Sequence, residues 1–217
     1  MPLFAQAINM LAALFLLVAF AMLSQRRLAN LINLYALQGL ILGLSIGVVA
    51  YGTDQPKLYF SAGLNLILKV IAVPWLLRRL VRKLQVQWDR ETILYIPTIM
   101  LLGLGLVIFA FNASLPLSEL AGTINHNTLG IALASVLLSS LMMILRATAI
   151  SQVIGFLALE NGLIFAATSV TYGMPMVIEL GIALDVIVGV FILGVFFFHI
   201  REQFDSLELN YLDRHED

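Results

Sequence analysis

Three ionisable residues in this chain, Lys69, Glu160 and Asp185, stand near the middle of long apolar stretches, as does the amide Gln38, and Asn161 follows Glu160 directly. A charged side chain at mid-bilayer costs roughly 2.5–3.5 kcal/mol on insertion scales, a large share of the roughly 5–15 kcal/mol that separates a folded domain from its unfolded state. Such groups need partners, water or a task, and intramembrane ionisable residues commonly mark ion pathways. An ammonium, two carboxyls and an amide at one depth form a belt suited to passing protons laterally. The plainer alternative is internal glue, in which Lys69 neutralises one carboxylate and Gln38 bonds across helices without transport. Glu179 lies six residues before Asp185, about 9 Å along a helix at 1.5 Å per residue and on a different face. It is either an access point for ions or an interfacial acid, since the cost of a charge falls toward the interface.

The residues around this belt suggest how it is held. Pro74 lacks an amide hydrogen, so the carbonyl of Val70 loses its helical partner beside Lys69, and the expectation is a kink with a polar lining. Gly39, Gly43 and Gly47 recur every four residues, the small-residue spacing that lets helices approach closely. Gly181 and Gly189 flank Asp185 by four residues on either side, which predicts a groove along the face that carries the acid.

These positions require membrane-spanning helices. The chain has 217 residues, 61% of them hydrophobic and only 12% charged, with a mean hydropathy of +0.98. In soluble domains about a quarter of the residues are charged. Windows of about 20 apolar residues, long enough for a hydrocarbon core of about 30 Å, are predicted at seven places. They run Ala5–Leu23, Leu28–Val49, Leu58–Leu77, Ile93–Phe111, Leu129–Leu145, Ala149–Thr171 and Val177–His199. The first has no preceding basic residue and no small-residue cleavage pattern, so it reads as a retained helix.

Basic residues set the orientation. Arg26, Arg27, Arg78, Arg79, Arg82, Lys83, Arg90, Arg146, Arg201 and Arg214 all fall on one side of a seven-span arrangement, and Lys57 alone on the other. The bias predicts an external N-terminus and a cytoplasmic C-terminus. The loop Arg78–Glu91 is expected to lie along the cytoplasmic surface, and Asn112–Asn127 to be the longest external loop. The acidic tail after His199 serves either as a docking strand or as a solvated end.

The same composition excludes much. Without cysteine the chain offers no thiolate for an iron–sulfur or nickel–iron centre and no disulfide. His126, His199 and His215 fall in a loop, at a helix end and in the tail, which argues against an intramembrane haem. No His-Glu-x-x-His motif, intramembrane aspartyl protease signature or phosphate-binding loop occurs, so no catalytic centre is expected in this chain, and no nucleic-acid partner.

An internal repeat is also legible. Ala36-Leu-Gln-Gly-Leu-Ile41 parallels Ala158-Leu-Glu-Asn-Gly-Leu-Ile164 with one insertion, and Leu64-Asn-Leu-Ile-Leu-Lys-Val-Ile71 parallels Leu180-Gly-Ile-Ala-Leu-Asp-Val-Ile187. Gln38 then corresponds to Glu160, and Lys69 to Asp185. A parallel repeat of three-helix units needs one extra crossing, which the fourth span provides. The expected organisation is an all-α polytopic membrane protein. It has a first unit at 1–77, a connecting loop, helix and external loop at 78–128, a second unit at 129–199 and a tail at 200–217.

The string Gln152-Val-Ile-Gly-Phe-Leu-Ala-Leu-Glu-Asn-Gly162, followed by Glu179-Leu-Gly-Ile-Ala-Leu-Asp185, resembles the hydrogenase-4 component E family of formate hydrogenlyase and related group 4 membrane-bound hydrogenases. The resemblance extends to Tyr35-Ala-Leu-Gln38 and Leu68-Lys-Val-Ile-Ala-Val-Pro74. The last three helices of that family are similar to the NuoK subunit of complex I and the MrpC subunit of multisubunit cation/proton antiporters. Asp185 takes the place of a NuoK glutamate, whereas Glu160 stands one turn beyond the other NuoK glutamate, whose place falls at Leu157. The resemblance implies a non-catalytic subunit in a prokaryotic inner membrane, beside antiporter-like subunits and lipids. The nickel–iron centre and iron–sulfur clusters would then belong to a hydrogenase-type soluble arm, and the subunit would contribute to proton or cation movement. A subunit of a multisubunit antiporter without redox partners, or a scaffold with internal ion pairs, are the alternatives.

Overall fold

A segment in hydrocarbon must satisfy its backbone N–H and C=O groups internally, which for a single crossing means a helix. The computed structural model describes residues 2–53, 56–84, 95–121, 126–171, 181 and 183–189, and among them every regular element is helical. In order these are α1 (Pro2–Ser24), α2 (Leu28–Thr53), α3 (Pro56–Leu66), a π-helical segment (Ile67–Ala72), α4 (Val73–Leu84), α5 (Ile96–Ala121), α6 (His126–Leu145) and α7 (Ala149–Thr171). Six helices among the described residues are long and apolar enough to cross a membrane, and α3, the π segment and α4 together make the third of them. Most of the expected seventh span, Val177–His199, lies outside the described residues; within it, residues 183–189 are helical.

Two boundaries differ from expectation. The third crossing does not stop at Leu77: α4 continues through Arg78, Arg79, Arg82 and Lys83 to Leu84, so the first half of the expected loop Arg78–Glu91 extends the helix. Arginine and lysine carry long apolar stems that snorkel from a helix end, so basic side chains need not end it. The Arg79 guanidinium lies over the Trp75 ring at 5.4 Å, and with Arg82 and Lys83 these residues line a cavity of about 420 Å³. Second, most of the expected loop Asn112–Asn127 is helix, because α5 runs to Ala121 and α6 begins at His126. Asn112 donates to the carbonyl of Ile108 (2.9 Å) and Ser114 to that of Phe111 (2.8 Å), so both polar side chains bond to their own helix. Pro116 is accommodated inside α5.

The bundle is centred on α2, which packs against α1, the third crossing and α7. α6 lies between α5 and α7 and also touches α1, while α5 is outermost. Phe15 of α1 stacks on Phe165 of α7 with ring centroids 4.8 Å apart. Around them Leu28, Ile32, Tyr35, Leu42 and Ile46 of α2 and Leu77 of α4 are fully buried. Leu17, Phe60, Trp75, Leu101, Phe109 and Ile144 point outward, as the apolar exterior of a membrane bundle requires.

Arg146, used above only as an orientation marker, is a structural residue. It is buried at the end of α6, and its Nη2 donates to the carbonyls of Met22 and Leu23 (3.2 Å each) and of Gln25. The last carbonyls of a helix have no intrahelical donor, so a guanidinium there satisfies both hydrogen-bonding capacity and the negative end of the helix dipole. The contact places the end of α6 level with the end of α1, so α2 and α7 start from the same side of the bundle.

Candidate intramembrane ion-pair site

The site begins with a backbone irregularity. Between Ile67 and Ala72 the third crossing widens into a π-helix, and the N–H of Val73 donates to the carbonyl of Leu68, five residues back. Proline at position 74 cannot donate to Val70 and would press on its carbonyl in a regular α-helix. A widened turn relieves that conflict, so the backbone disturbance expected from Pro74 takes the form of a π segment, a feature often found at functional sites. Lys69 lies inside it and is fully buried.

Gly39 of α2 lets the neighbouring helix come close at this level. A Cβ at Gly39 would stand 2.8 Å from the Lys69 Cβ, and one at Gly43 would overlap the Leu66 side chain. Gly47 has nothing within 4 Å of a Cβ position among the described residues, so there the first two glycines of the series serve the contact. On α7 the close approach is made by Gly155 and Gly162, which meet Met143 and Val136 of α6 and were not singled out by spacing. Gly181 abuts Ile164, and its Cβ position lies 3.1 Å from Glu160 Oε1; Gly189, by contrast, has no neighbour within 4 Å among the described residues.

Lys69 Nζ donates to Glu160 Oε1 at 2.9 Å and to Asp185 Oδ1 at 3.2 Å, with Asp185 Oδ2 3.1 Å away. One ammonium therefore binds two carboxyl groups carried by two other helices. From the sequence these groups are expected at one depth, or Lys69 is expected to neutralise one carboxylate; in the structure one ammonium meets both carboxyl groups. Beside it, Asn161 Nδ2 donates to Gln38 Oε1 at 3.2 Å, tying α7 to α2. The structure thus gathers Gln38, Lys69, Glu160, Asn161 and Asp185, all buried. Glu179 lies outside the described residues.

Two further buried residues lie one turn from members of the cluster. Tyr35, one turn before Gln38, is fully buried with its hydroxyl unpartnered among the described residues. Asn65, one turn before Lys69, is fully buried with both amide atoms unpartnered among the described residues. A sequence signal existed for the second: Ser61, Asn65 and Lys69 recur every four residues on an otherwise apolar helix.

Chemically, the cluster joins one ammonium to two carboxyl groups that share it, so a change of charge at one carboxyl changes the electrostatics of the other. These features define an integral membrane protein of the multi-pass helical class with a buried acid–base cluster shared among four helical segments. By sequence the chain is 30% identical over 190 residues to "Uncharacterized protein Rv0085" of Mycobacterium tuberculosis, covering 87% of this chain and 86% of that protein. It is 25% identical over 207 residues to "Hydrogenase-4 component E" of Escherichia coli, covering 94% and 95%, with a match of the same extent in Shigella flexneri. The chain belongs to the family of the mycobacterial protein and is distantly related to hydrogenase-4 component E. No family model matches it, and no solved structure does.

Proposed function

We propose that this chain is a membrane subunit of a proton- or cation-translocating complex of the hydrogenase-4 or formate hydrogenlyase type, and that the Lys69–Glu160–Asp185 cluster takes part in translocation. The observation that carries the reading is a fully buried lysine bonded at 2.9 and 3.2 Å to two carboxyl groups from separate helices. A structural ion pair requires one carboxylate for one ammonium. The second acid leaves the cluster a spare site for a proton, which is what a relay requires and a scaffold does not. The distant relationship to a hydrogenase component along nearly the whole chain supports membership of a multisubunit membrane assembly.

In this reading the subunit lies in the inner membrane with its N-terminus outside. Nickel–iron and iron–sulfur centres reside in partner subunits, and antiporter-like subunits adjoin this one. The meeting of Lys69 with Asp185, and of Gln38 with the neighbour of Glu160, supports a parallel repeat whose equivalent polar positions converge at the centre. The deciding experiment uses Glu160→Gln and Asp185→Asn in the assembled complex, with assembly, redox activity toward an artificial acceptor and proton uptake measured on the same preparation. Intact assembly and redox activity with weakened uptake are expected. Normal uptake in both variants would refute the relay and leave a scaffold.

A further inference from the structure

On the crossings that carry Gln38, Lys69 and Glu160 the buried residues change character at the level of the cluster. On the third crossing the buried residues before it include Ser61 and Asn65, whereas those after it include Val73, Leu77, Leu80 and Val81 and no polar side chain. On α2, Ser45 is buried between Gln38 and the Thr53 end, while Leu28, Leu31 and Ile32 fill the other half. On α7, Thr168 is buried beyond Asn161, and Ile154, Leu157 and Ala158 separate Glu160 from Ser151 in the first turn. α2 and α7 start from the same side, and the third crossing returns from the Thr53 end of α2 at Pro56. All four residues, Ser45, Ser61, Asn65 and Thr168, therefore lie in one half of the bundle, between the cluster and the Thr53/Pro56 end.

Asn65 is the residue that packing alone does not explain. An unsatisfied buried polar group costs roughly 1–3 kcal/mol, and Asn65 presents both a donor and an acceptor with no partner among the described residues. Gln38 Nε2, Asn161 Oδ1 and Glu160 Oε2, in the cluster one turn further along, are also without a partner among the described residues. The hydroxyls of Ser45 and Thr168 donate to carbonyls of their own helices, which leaves their oxygens able to accept. Donors and acceptors spread over one helical turn are the surroundings in which buried water makes two to four hydrogen bonds.

We propose that water occupies the space around Asn65 and connects the Lys69–Glu160–Asp185 cluster to the Thr53/Pro56 end of the bundle, with the opposite half closed by Tyr35 and the apolar residues beyond it. Asn65 is a positioning residue that holds this water one turn from the ammonium, about 6 Å along the helix. In purpose, though not in structure, the path rests on the relay reading above, since it gives the cluster access to one side only.

The natural absence of cysteine makes the test direct. Single-cysteine variants Ser61→Cys and Asn65→Cys of the full chain are exposed to silver ion in right-side-out or inverted vesicles. They are then unfolded in detergent and labelled with a maleimide, so that protected thiols stay dark. Gly52→Cys, exposed at the end of α2, marks the Thr53/Pro56 side, and Leu42→Cys, fully buried among apolar residues, sets the dry baseline. Thiolate, the reactive species, is suppressed in apolar surroundings, so protection at positions 61 and 65 is expected to be about tenfold faster or more than at 42, and only where Gly52→Cys is also protected. Rates equal to that of Leu42→Cys at both positions, or protection from the opposite side, overturn the proposal. If Asn65→Cys does not fold, Ser61→Cys decides alone. Sided protection together with normal proton uptake in Glu160→Gln and Asp185→Asn retains the water path and refutes the relay, so the two failures are separable.

Discussion

Replacing Lys69 by methionine should be far more damaging than neutralising either acid, and the size of the difference follows from the two-to-one geometry. At 2.9 and 3.1 Å each ammonium–carboxylate attraction is about 5–6 kcal/mol at an effective dielectric near 20. Both oxygens touch one nitrogen, so they lie at most about 6 Å apart and repel each other by at least about 3 kcal/mol on the same scale when both are ionised. Glu160→Gln or Asp185→Asn removes one attraction, that repulsion and the desolvation of one carboxylate, itself several kcal/mol. These terms nearly cancel, and each variant should lie within about 1–2 kcal/mol of the parent. Lys69→Met removes both attractions and leaves two buried carboxylates facing each other, for which a loss of about 3–5 kcal/mol is expected. The triple variant with Lys69→Met, Glu160→Gln and Asp185→Asn should recover most of that loss, because no uncompensated charge remains. Reversible unfolding by dodecyl sulfate in mixed micelles measures all four proteins on one scale. A Lys69→Met loss under about 1 kcal/mol, or a triple variant as unstable as the single one, would show that the ion pairs do not govern the energetics of the cluster.

Three other outcomes test the packing and the orientation. Gly39→Ala places a methyl 2.8 Å from the Lys69 Cβ and should destabilise by about 1–3 kcal/mol, while Gly47→Ala, in open space, should change stability by less than about 0.5 kcal/mol in the same unfolding assay. Arg146→Ala removes the guanidinium from three carbonyls, of which that of Met22 keeps the N–H of Gln25, and should cost about 1.5–3 kcal/mol; Arg146→Lys restores only part, because a point-like ammonium does not span the three acceptors. A cysteine introduced at Gly52 should react with an impermeant maleimide added to intact cells and one at Arg82 only in inverted vesicles; the opposite pattern would reverse the orientation predicted from the basic residues.

Membrane class and the identity of the central residues were legible from composition alone, because hydrocarbon penalises charge so heavily that Lys69, Glu160 and Asp185 stand out against an apolar background. A common level for these residues was legible too, since each stands near the middle of its apolar stretch and position along a helix advances 1.5 Å per residue, and their side chains meet. Helix ends were less so: Asn112 and Ser114 look like loop residues until their side chains are seen bonded to their own helix, and a string of arginines is compatible with either a turn or a snorkelling helix end. The π turn at Lys69 was half visible, for Pro74 announces a backbone conflict without saying how it is resolved.

What sequence could not decide is rotation and pairing. A helix that is apolar on all sides carries no periodic signal for which face meets which neighbour, so the close approaches at Gly155 and Gly162 were not legible from spacing. For the same reason nothing local foretold that one lysine would bind both acids, that Arg146 would be buried against the end of α1, or that Asn65 would be buried without a partner among the described residues. The sequence by itself determined which groups must be sheltered from lipid, because that follows from the chemistry of each side chain. Only the tertiary structure decided who shelters whom, because that depends on the close approach of helices that are 91 and 116 residues apart at the Lys69 contacts.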